Sequence, residues 1–351
     1  MKKTWVALAV LGAFATVAQA QSSVTLYGIV DVNVQYFDPK PSGADSVTRI
    51  DSGHQSGSRW GMRGSEDLGG GLKGVFTLEG GYSPDTGTIG QSTATTTRLF
   101  GRQAWAGLQG GFGTIVLGRV ALLSSGTGSF DMFGSVDPFG TGFGGLNLAF
   151  NSASALRVDN AILWKSNNMG GFQVGLNHSR NISGSETAPN SANAYQTGGA
   201  ASFGAGPFFG AVTYDVINNP APGADDQKHL QVGATFDLGV VKLHAAYAKE
   251  DNQFGNSVVG TTNGADSSNY MAGVSAPLGG GSLMASYNNR NGKLQGTYEA
   301  DLVRWGIAYS YPLSRRTNLY ASYADNNGKK SLDNNPSYDF RQFTLGMRHL
   351  F

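Results

Sequence analysis

Apolar and polar side chains alternate with a period of two over long stretches of this sequence, and no other feature constrains its fold more. Such alternation predicts β-strands with one apolar and one polar face, because successive side chains of a strand point to opposite sides. The stretches span about a dozen residues, whereas strands average about five or six. The apolar positions are Val24, Leu26, Val30, Val32 and Val34 near the start and Phe343, Leu345, Met347 and Phe351 at the end.

Two kinds of connection take turns between these strands. Seven are short and rich in Gly, Asn or Pro, and eight are longer and polar or irregular. Fifteen connections join sixteen antiparallel strands, and strand ends shifted by a few residues also allow fourteen or eighteen. The short connections lie at 66–71, 109–113, 166–171, 204–206, 237–239, 277–281 and 312–316, and the long ones at 37–57, 84–97, 119–156, 181–194, 216–227, 250–268, 290–297 and 326–338.

Short turns at one rim and long loops at the other are typical of a transmembrane β-barrel. Sixteen strands enclose a lumen that side chains cannot fill, so the lumen must hold water and the apolar faces must face lipid. The composition agrees, because 52 glycines disfavour helices, the lack of cysteine excludes disulfides, and a net charge of +1 argues against a nucleic-acid partner. Aromatic residues expected in girdles at the membrane surfaces are Phe172, Tyr214, Phe236, Tyr247, Tyr311, Tyr320 and Phe351.

Residues 1–20 have the pattern of a secretory signal peptide. Two lysines precede a short apolar stretch that ends in small residues. The stretch is shorter than the roughly 20 residues that cross a bilayer as a helix. We expect cleavage between Ala20 and Gln21, which leaves residues 21–351 as one exported barrel domain.

Several segments resemble the general diffusion porins of β-proteobacteria. They are SSVTLYGIVD at 22–31, SRWGMRGSEDLGGGLKG at 58–74, FGRQAWAGL at 100–108, FGTIVLGR at 112–119 and the terminal MRHLF. The resemblance implies a sixteen-stranded barrel in the bacterial outer membrane, a homotrimer, and a third loop folded into the lumen. It also implies outer-membrane lipid, periplasmic chaperones and the barrel-assembly machinery as partners, with Phe351 as the assembly signal. The alternative for Phe351 is an ordinary amphipathic last strand.

The third long connection, 119–156, is apolar for its length, which is unusual for a loop in solvent. Folded inward, it can pack its phenylalanines against the wall and present Asp131 and Asp137 to the aqueous gap. The resemblance places a basic cluster on the opposite wall of this constriction. By motif position its members are Arg59, Arg102 and Arg157, and the alternation supports Arg59 and Arg157 better than Arg102. Further lumenal candidates are Arg63, Glu79, Arg119 and Asp159.

These residues predict a water-filled channel for passive diffusion of ions and small hydrophilic solutes. Three arginines opposite two aspartates would give a weak preference for anions. No cofactor, metal site or nucleic-acid partner is expected. The alternatives are a substrate-specific channel, a soluble binding protein and a barrel hydrolase, but the most suggestive pair, His229 and His244, is expected about 13 Å apart along neighbouring strands.

Overall fold

The computed structural model describes residues 23–41, 43–92, 97–140, 142–143, 157–182, 184–220, 225–253, 265–294, 298–330 and 332–351. The predicted signal peptide and its cleavage site at Ala20 and Gln21 lie outside these residues, and so does the end of the third long loop. No helix in the described part of the chain is long and apolar enough to cross a membrane.

Long antiparallel strands make up the fold. Two short strands, Val47–Ser52 and Thr88–Ile89, lie within the first and second loops, and single 3₁₀ turns lie at Gly134–Val136 and Asn190–Ala192. The long strands are β1 (Ser23–Pro39), β2 (Arg59–Gly69), β3 (Leu72–Ser83), β4 (Gln103–Gly110), β5 (Gly113–Ala121), β6 (Arg157–Lys165), β7 (Phe172–Ser179), β8 (Gln196–Ala205), β9 (Phe208–Ile217), β10 (Gln227–Asp237), β11 (Lys242–Gln253), β12 (Ala265–Leu278), β13 (Gly281–Leu294), β14 (Tyr298–Pro312), β15 (Thr317–Lys330) and β16 (Phe340–Leu350).

The strands form a closed barrel, because β1 pairs with strands from both ends of the sequence. Its first part, Ser23–Ile29, pairs with β2, and its second part, Ile29–Pro39, pairs with β16. Closure leaves no row of unpaired backbone groups facing lipid. The predicted sixteen-stranded barrel and its seven short turns are confirmed. The connection predicted at 290–297 is shorter than expected, because β13 continues to Leu294 and β14 begins at Tyr298.

Side chains of each strand alternate between lumen and membrane as predicted. In β10, Gln227, Gln231 and Thr235 point inward and are at most 3% exposed. Their neighbours Val232 and Phe236 point outward and are 46% and 44% exposed. Apolar side chains on the outer surface of a closed barrel are suited to lipid. In a soluble sandwich, by contrast, the apolar side chains of each strand point into the core.

The girdle prediction is wrong for Tyr320, whereas Phe172, Tyr214, Phe236 and Tyr311 are exposed as a girdle requires. The Tyr320 side chain is 3% exposed, and its hydroxyl donates a hydrogen bond to Asp31 Oδ1 at 2.6 Å. Tyr320 occupies a lumenal position of β15, in register with inward-pointing residues. Those neighbours on the same strand are Asn318, Ser322, Ala324 and Asn326.

The barrel closes where the last residue meets the first strand. Gly28 and Phe351 exchange two backbone hydrogen bonds of 3.1 Å, and the Phe351 ring covers Gly28. A Cβ atom at position 28 would lie 2.2 Å from Phe351 Cζ and 2.7 Å from the carbonyl oxygen of Arg59. Only glycine therefore fits at this seam.

We expect Gly28→Ala to lower the stability of the barrel, because overpacking of this kind costs about 1–3 kcal/mol. Heat-modifiable migration on gels, followed against temperature, measures the effect. Gly74→Ala on β3 is the matched control, since its Cβ would come no closer than 3.8 Å to Leu68 Cδ1. Equal denaturation temperatures for the two variants would contradict this account of the seam.

Candidate functional site

Loop three, defined as residues 122–156 between β5 and β6, lies inside the barrel over its described part. Phe130 packs on Trp105 of β4 with ring centroids 5.1 Å apart. Phe133 and Val136 pack against inward side chains of β9, β11 and β12, and Phe139 and Phe143 pack against those of β13, β14 and β15. The loop thus follows the inner wall, as its apolar composition predicts. Its residues 141 and 144–156 lie outside the described part.

Asp131 and Asp137 accept hydrogen bonds from backbone N–H groups of loop three. Asp131 Oδ1 accepts hydrogen bonds from the N–H groups of Gly126 and Phe133 at 2.8 and 3.2 Å, and Oδ2 accepts one from Gly134 at 2.7 Å. Asp137 is 3% exposed, and its Oδ1 accepts the N–H of Phe139 at 3.0 Å. Both carboxylates hold turns of loop three together, and their place opposite the basic cluster stays a prediction.

A basic cluster, Arg59, Arg98, Arg102, Arg119 and Arg157, gathers at the loop ends of β2 to β6. Arg59 Nε donates to the carbonyl oxygen of Gly57 at 2.8 Å, and Arg102 Nη1 lies 3.2 Å from where a Cβ at position 57 would be. Arg157 is within electrostatic range of Arg59, Arg102 and Arg119. The structure brings together the three arginines that the motifs indicated.

Two carboxylates neutralise part of the cluster. Glu79 Oε1 is 2.8 Å from Arg102 Nε, and its Oε2 accepts a hydrogen bond of 3.0 Å from the Tyr27 hydroxyl. Asp159 is held by both terminal nitrogens of Arg98, at 2.9 and 2.8 Å, and also by Arg119. Five guanidinium groups face two carboxylates, so three positive charges are left over.

Arg59 and Arg157 carry most of this excess. Within the described residues, neither has a carboxylate at salt-bridge distance, and Arg157 Nε is buried without a hydrogen-bond partner. Arginine remains charged at every relevant pH and presents a planar set of donors to an anion. The site is therefore suited to attract anions.

Alternation accounts for Arg157, which shares the inward parity with Asp159, but not for its neighbour Val158. Asn160 has a φ of +50°, and the register between β5 and β6 shifts between Gly118 and Val120. Val158, expected on the outer face, is fully buried in a cluster with Trp105. Because of this bulge, the consecutive residues Val158 and Asp159 both point inward, which a strict period of two cannot predict.

The structure also places Arg63 and two arginines that were not predicted, Arg98 and Arg348. Arg63 is exposed on the lumenal side of β2, with its guanidinium 5.1 Å from the ring centre of Tyr27. Arg98 ends the second loop, just before the FGRQAW motif. Arg348 donates to Ser56 Oγ and Asn318 Oδ1, each at 3.0 Å. The alternation of the last strand puts Arg348 on the same face as Thr344 and could have indicated it.

The histidines do not form a catalytic pair. His229 is opposite Glu250 and His244 is opposite Thr235, so the two are separated by six positions along the strand, or about 20 Å. His244 Nδ1 lies 2.9 Å from the carbonyl oxygen of Val136 in loop three, and Nε2 lies 2.9 Å from Ser275 Oγ. His244 therefore joins loop three to the wall.

His54 of the first loop sits beside loop three, between Phe143 and Tyr320, and its Nε2 is 2.7 Å from Ser322 Oγ. Burial lowers the pKa of His54 to about 4, so the imidazole is neutral at physiological pH. It adds no charge to the basic cluster.

This shift predicts an acid sensitivity. Because the folded pKa lies below the ordinary value of 6.5, unfolding takes up a proton below that pH, and stability falls as the pH drops towards 4. The contribution is on the order of 1–3 kcal/mol. We expect His54→Gln to lose less of its denaturation temperature than the wild type between pH 7 and pH 4.5. An equal loss in both proteins would contradict the assignment.

A family model described as Gram-negative porin matches residues 7–331. The chain belongs to the Gram-negative porin family. It is 37% identical to an outer membrane porin protein of Bordetella pertussis, over 93% of this chain and 95% of that protein. It is 33% identical to outer membrane porin protein 32 of Delftia acidovorans, over 92% and 89% of the two chains.

Solved porin structures agree with the fold. An anion-selective porin from Comamonas acidovorans superimposes with a TM-score of 0.76 at 27% identity, covering 94% of this chain and 100% of that one. OmpF of Salmonella typhi has a TM-score of 0.71 at 17% identity and shows the same fold. This porin is thus a channel of the bacterial outer membrane and not an enzyme.

Proposed function

We propose that this porin is a general diffusion channel with a weak preference for anions, constricted between the basic cluster and loop three. The observation that carries the proposal is the excess of three positive charges in the cluster, centred on Arg59 and Arg157. The porin of Comamonas acidovorans is described as anion-selective, which supports the same preference here.

The physical reason is the field across a narrow, water-filled opening. Low-dielectric walls concentrate the field of fixed charges, so a few uncompensated guanidinium groups raise the local concentration of anions and lower that of cations. Asp131 and Asp137 are engaged within loop three and oppose this field less than an exposed acidic wall would. The preference remains weak because Glu79 and Asp159 cancel part of the charge.

Reversal potentials of the wild-type channel in a potassium chloride gradient across a planar bilayer test the preference. We expect chloride to be the more permeant ion, and more strongly at low salt, where the fixed charges are less screened. A cation preference at all salt concentrations would contradict the proposal.

General diffusion, as opposed to selection of one solute, is favoured by the short polar side chains along the lumen. In β12 and β13, for example, Ser267, Asn269, Ser286 and Asn288 point inward. Liposome swelling with uncharged sugars of graded size distinguishes the two functions. A size cutoff supports general diffusion, and a sharp preference for one sugar would favour a substrate-specific channel.

We also propose that the chain assembles as a homotrimer in outer-membrane lipid. OmpT, an outer membrane protein of Vibrio cholerae that shares the fold, is described in a trimer form. The proposal includes recognition of the terminal Phe351 by the barrel-assembly machinery, after delivery by periplasmic chaperones. Native mass measurements before and after heating test the trimer, and the assembly rate of a chain that lacks Phe351 tests the signal.

A further inference from the structure

Three glycines on the inner wall lie under loop three. Gly175 is on β7, Gly233 on β10 and Gly273 on β12, each at an inward position of its strand. The intervening wall also carries small side chains where the loop crosses it, including Ala211 and Ala246. The loop therefore lies on a stretch of wall with little side-chain volume.

The contacts at these glycines leave no room for a methyl group. A Cβ at Gly233 would lie 2.5 Å from Val136 Cγ1 and 3.0 Å from Phe133 Cζ. At Gly273 it would lie 2.7 Å from Pro138 Cγ, and at Gly175 it would lie 2.9 Å from both Cδ atoms of Leu123. Apolar carbon atoms in contact are about 3.5–4.0 Å apart. Alanine at Gly233 or Gly273 would thus require a shift of about 1 Å.

The loop is also tied to the wall between two of these glycines. His244 on β11 is within 2.9 Å of the carbonyl oxygen of Val136, the residue that contacts Gly233. Its other ring nitrogen is 2.9 Å from Ser275, two residues beyond Gly273 on β12. The hydrogen bond between His244 and Val136 holds loop three against the wall of small residues. The paired barrel strands keep that wall in place.

We propose that Gly175, Gly233 and Gly273 form a seat that determines how far loop three projects into the lumen, and thereby the open cross-section of the pore. Added volume at the seat pushes the loop towards the channel axis, because the paired strands behind it yield less than the loop does. These glycines are positioning residues, which act on the pore through loop three. This inference rests on the proposed function in one respect, because it requires that the protein forms an open channel.

Single-channel conductance of Gly233→Ala and Gly273→Ala tests the seat. We expect the conductance to fall by about one third to one half and the size cutoff for sugars to move to smaller molecules. Alanine has the better intrinsic propensity for a strand. The new Cβ atoms would also lie 3.2 Å from the carbonyl oxygen of Ala245 and 3.0 Å from that of Ala285 on the neighbouring strands, so the compensating change on the loop decides which contact matters. Gly204→Ala on β8 is the control, because its Cβ would come no closer than 3.5 Å to Phe209 Cδ2 and should leave conductance unchanged.

A compensating change on the loop makes the test specific. Val136→Ala removes the atom that lies 2.5 Å from the new methyl group and leaves Phe133 Cζ at 3.0 Å, so the double variant Gly233→Ala with Val136→Ala should recover most of the lost conductance. If Gly233→Ala alone does not fold, the double variant must still fold and conduct. The proposal is overturned if both single glycine variants fold and conduct like the wild type, or if the double variant shows no recovery. A cation preference of the wild type would refute the proposed selectivity. It would not affect the comparison of variant and wild-type conductances, which tests the seat.

Discussion

The triple variant Arg59→Gln, Arg102→Gln and Arg157→Gln is expected to lose the preference for anions. The change removes three of the five guanidinium groups of the basic cluster. Arg98 and Arg119 remain and are held by Asp159, while Glu79 loses its partner. The local charge then falls to zero, and the chloride-to-potassium permeability ratio should drop by about two-fold or more.

Reversal potentials in a salt gradient measure this loss. Arg63→Gln is the matched control, because Arg63 lies on the same wall but outside the cluster, over the ring of Tyr27. Its effect should be small. The double variant Arg59→Gln with Arg157→Gln keeps the pair between Arg102 and Glu79 and avoids leaving a buried carboxylate unpaired. An anion preference that survives both the double and the triple variant would contradict the role of the cluster.

The second large effect is expected for Asp131→Ala. The substitution leaves three backbone N–H groups of loop three without their acceptor, and hydrogen bonds to a charged group contribute about 1.5–3 kcal/mol each. We expect the loop to loosen, with noisier single-channel currents, while the barrel keeps its denaturation temperature. The strand ladder does not depend on this residue.

This prediction distinguishes two roles for Asp131. If the carboxylate were an exposed acidic wall, its removal would strengthen the anion preference and leave the current steady. If it holds the loop, as its contacts indicate, the current becomes unsteady and the selectivity changes little. Asp131→Asn retains one acceptor oxygen and should give an intermediate result. Steady currents with a stronger anion preference would show that the loop role is wrong.

The barrel could be predicted from the sequence because its determinants are local. The alternation predicts which side chains face the lumen and which face outward, and the clusters of Gly, Asn and Pro predict all seven short turns. The predicted length of one loop was wrong. The polar residues at 290–297 predict a connection, but most of them extend strand β13, which ends at Leu294. Polarity alone does not separate a loop from a strand that rises above the membrane.

The basic cluster could be predicted only in part, since three of its members lie in motifs and the others depend on tertiary contacts. Arg98 joins through Asp159, which no local pattern indicates. Tyr320 was misassigned, and the loop contacts of Asp131 were missed, for a related reason. An aromatic ring near a strand end and an aspartate in a loop each have two common roles, and the choice depends on the partner, Asp31 in one case and backbone N–H groups in the other.

The central claim is that the basic cluster faces the aqueous gap, and a single engineered thiol tests it most directly. The chain has no cysteine, so Arg157→Cys introduces one reactive position. A negatively charged, membrane-impermeant thiol reagent should react with it in the conducting channel, change the current stepwise and shift the reversal potential towards cations. Ile162→Cys on the same strand, 42% exposed on the outer face, should not respond. A conducting Arg157→Cys channel whose current and reversal potential are unaffected by the reagent would contradict the account.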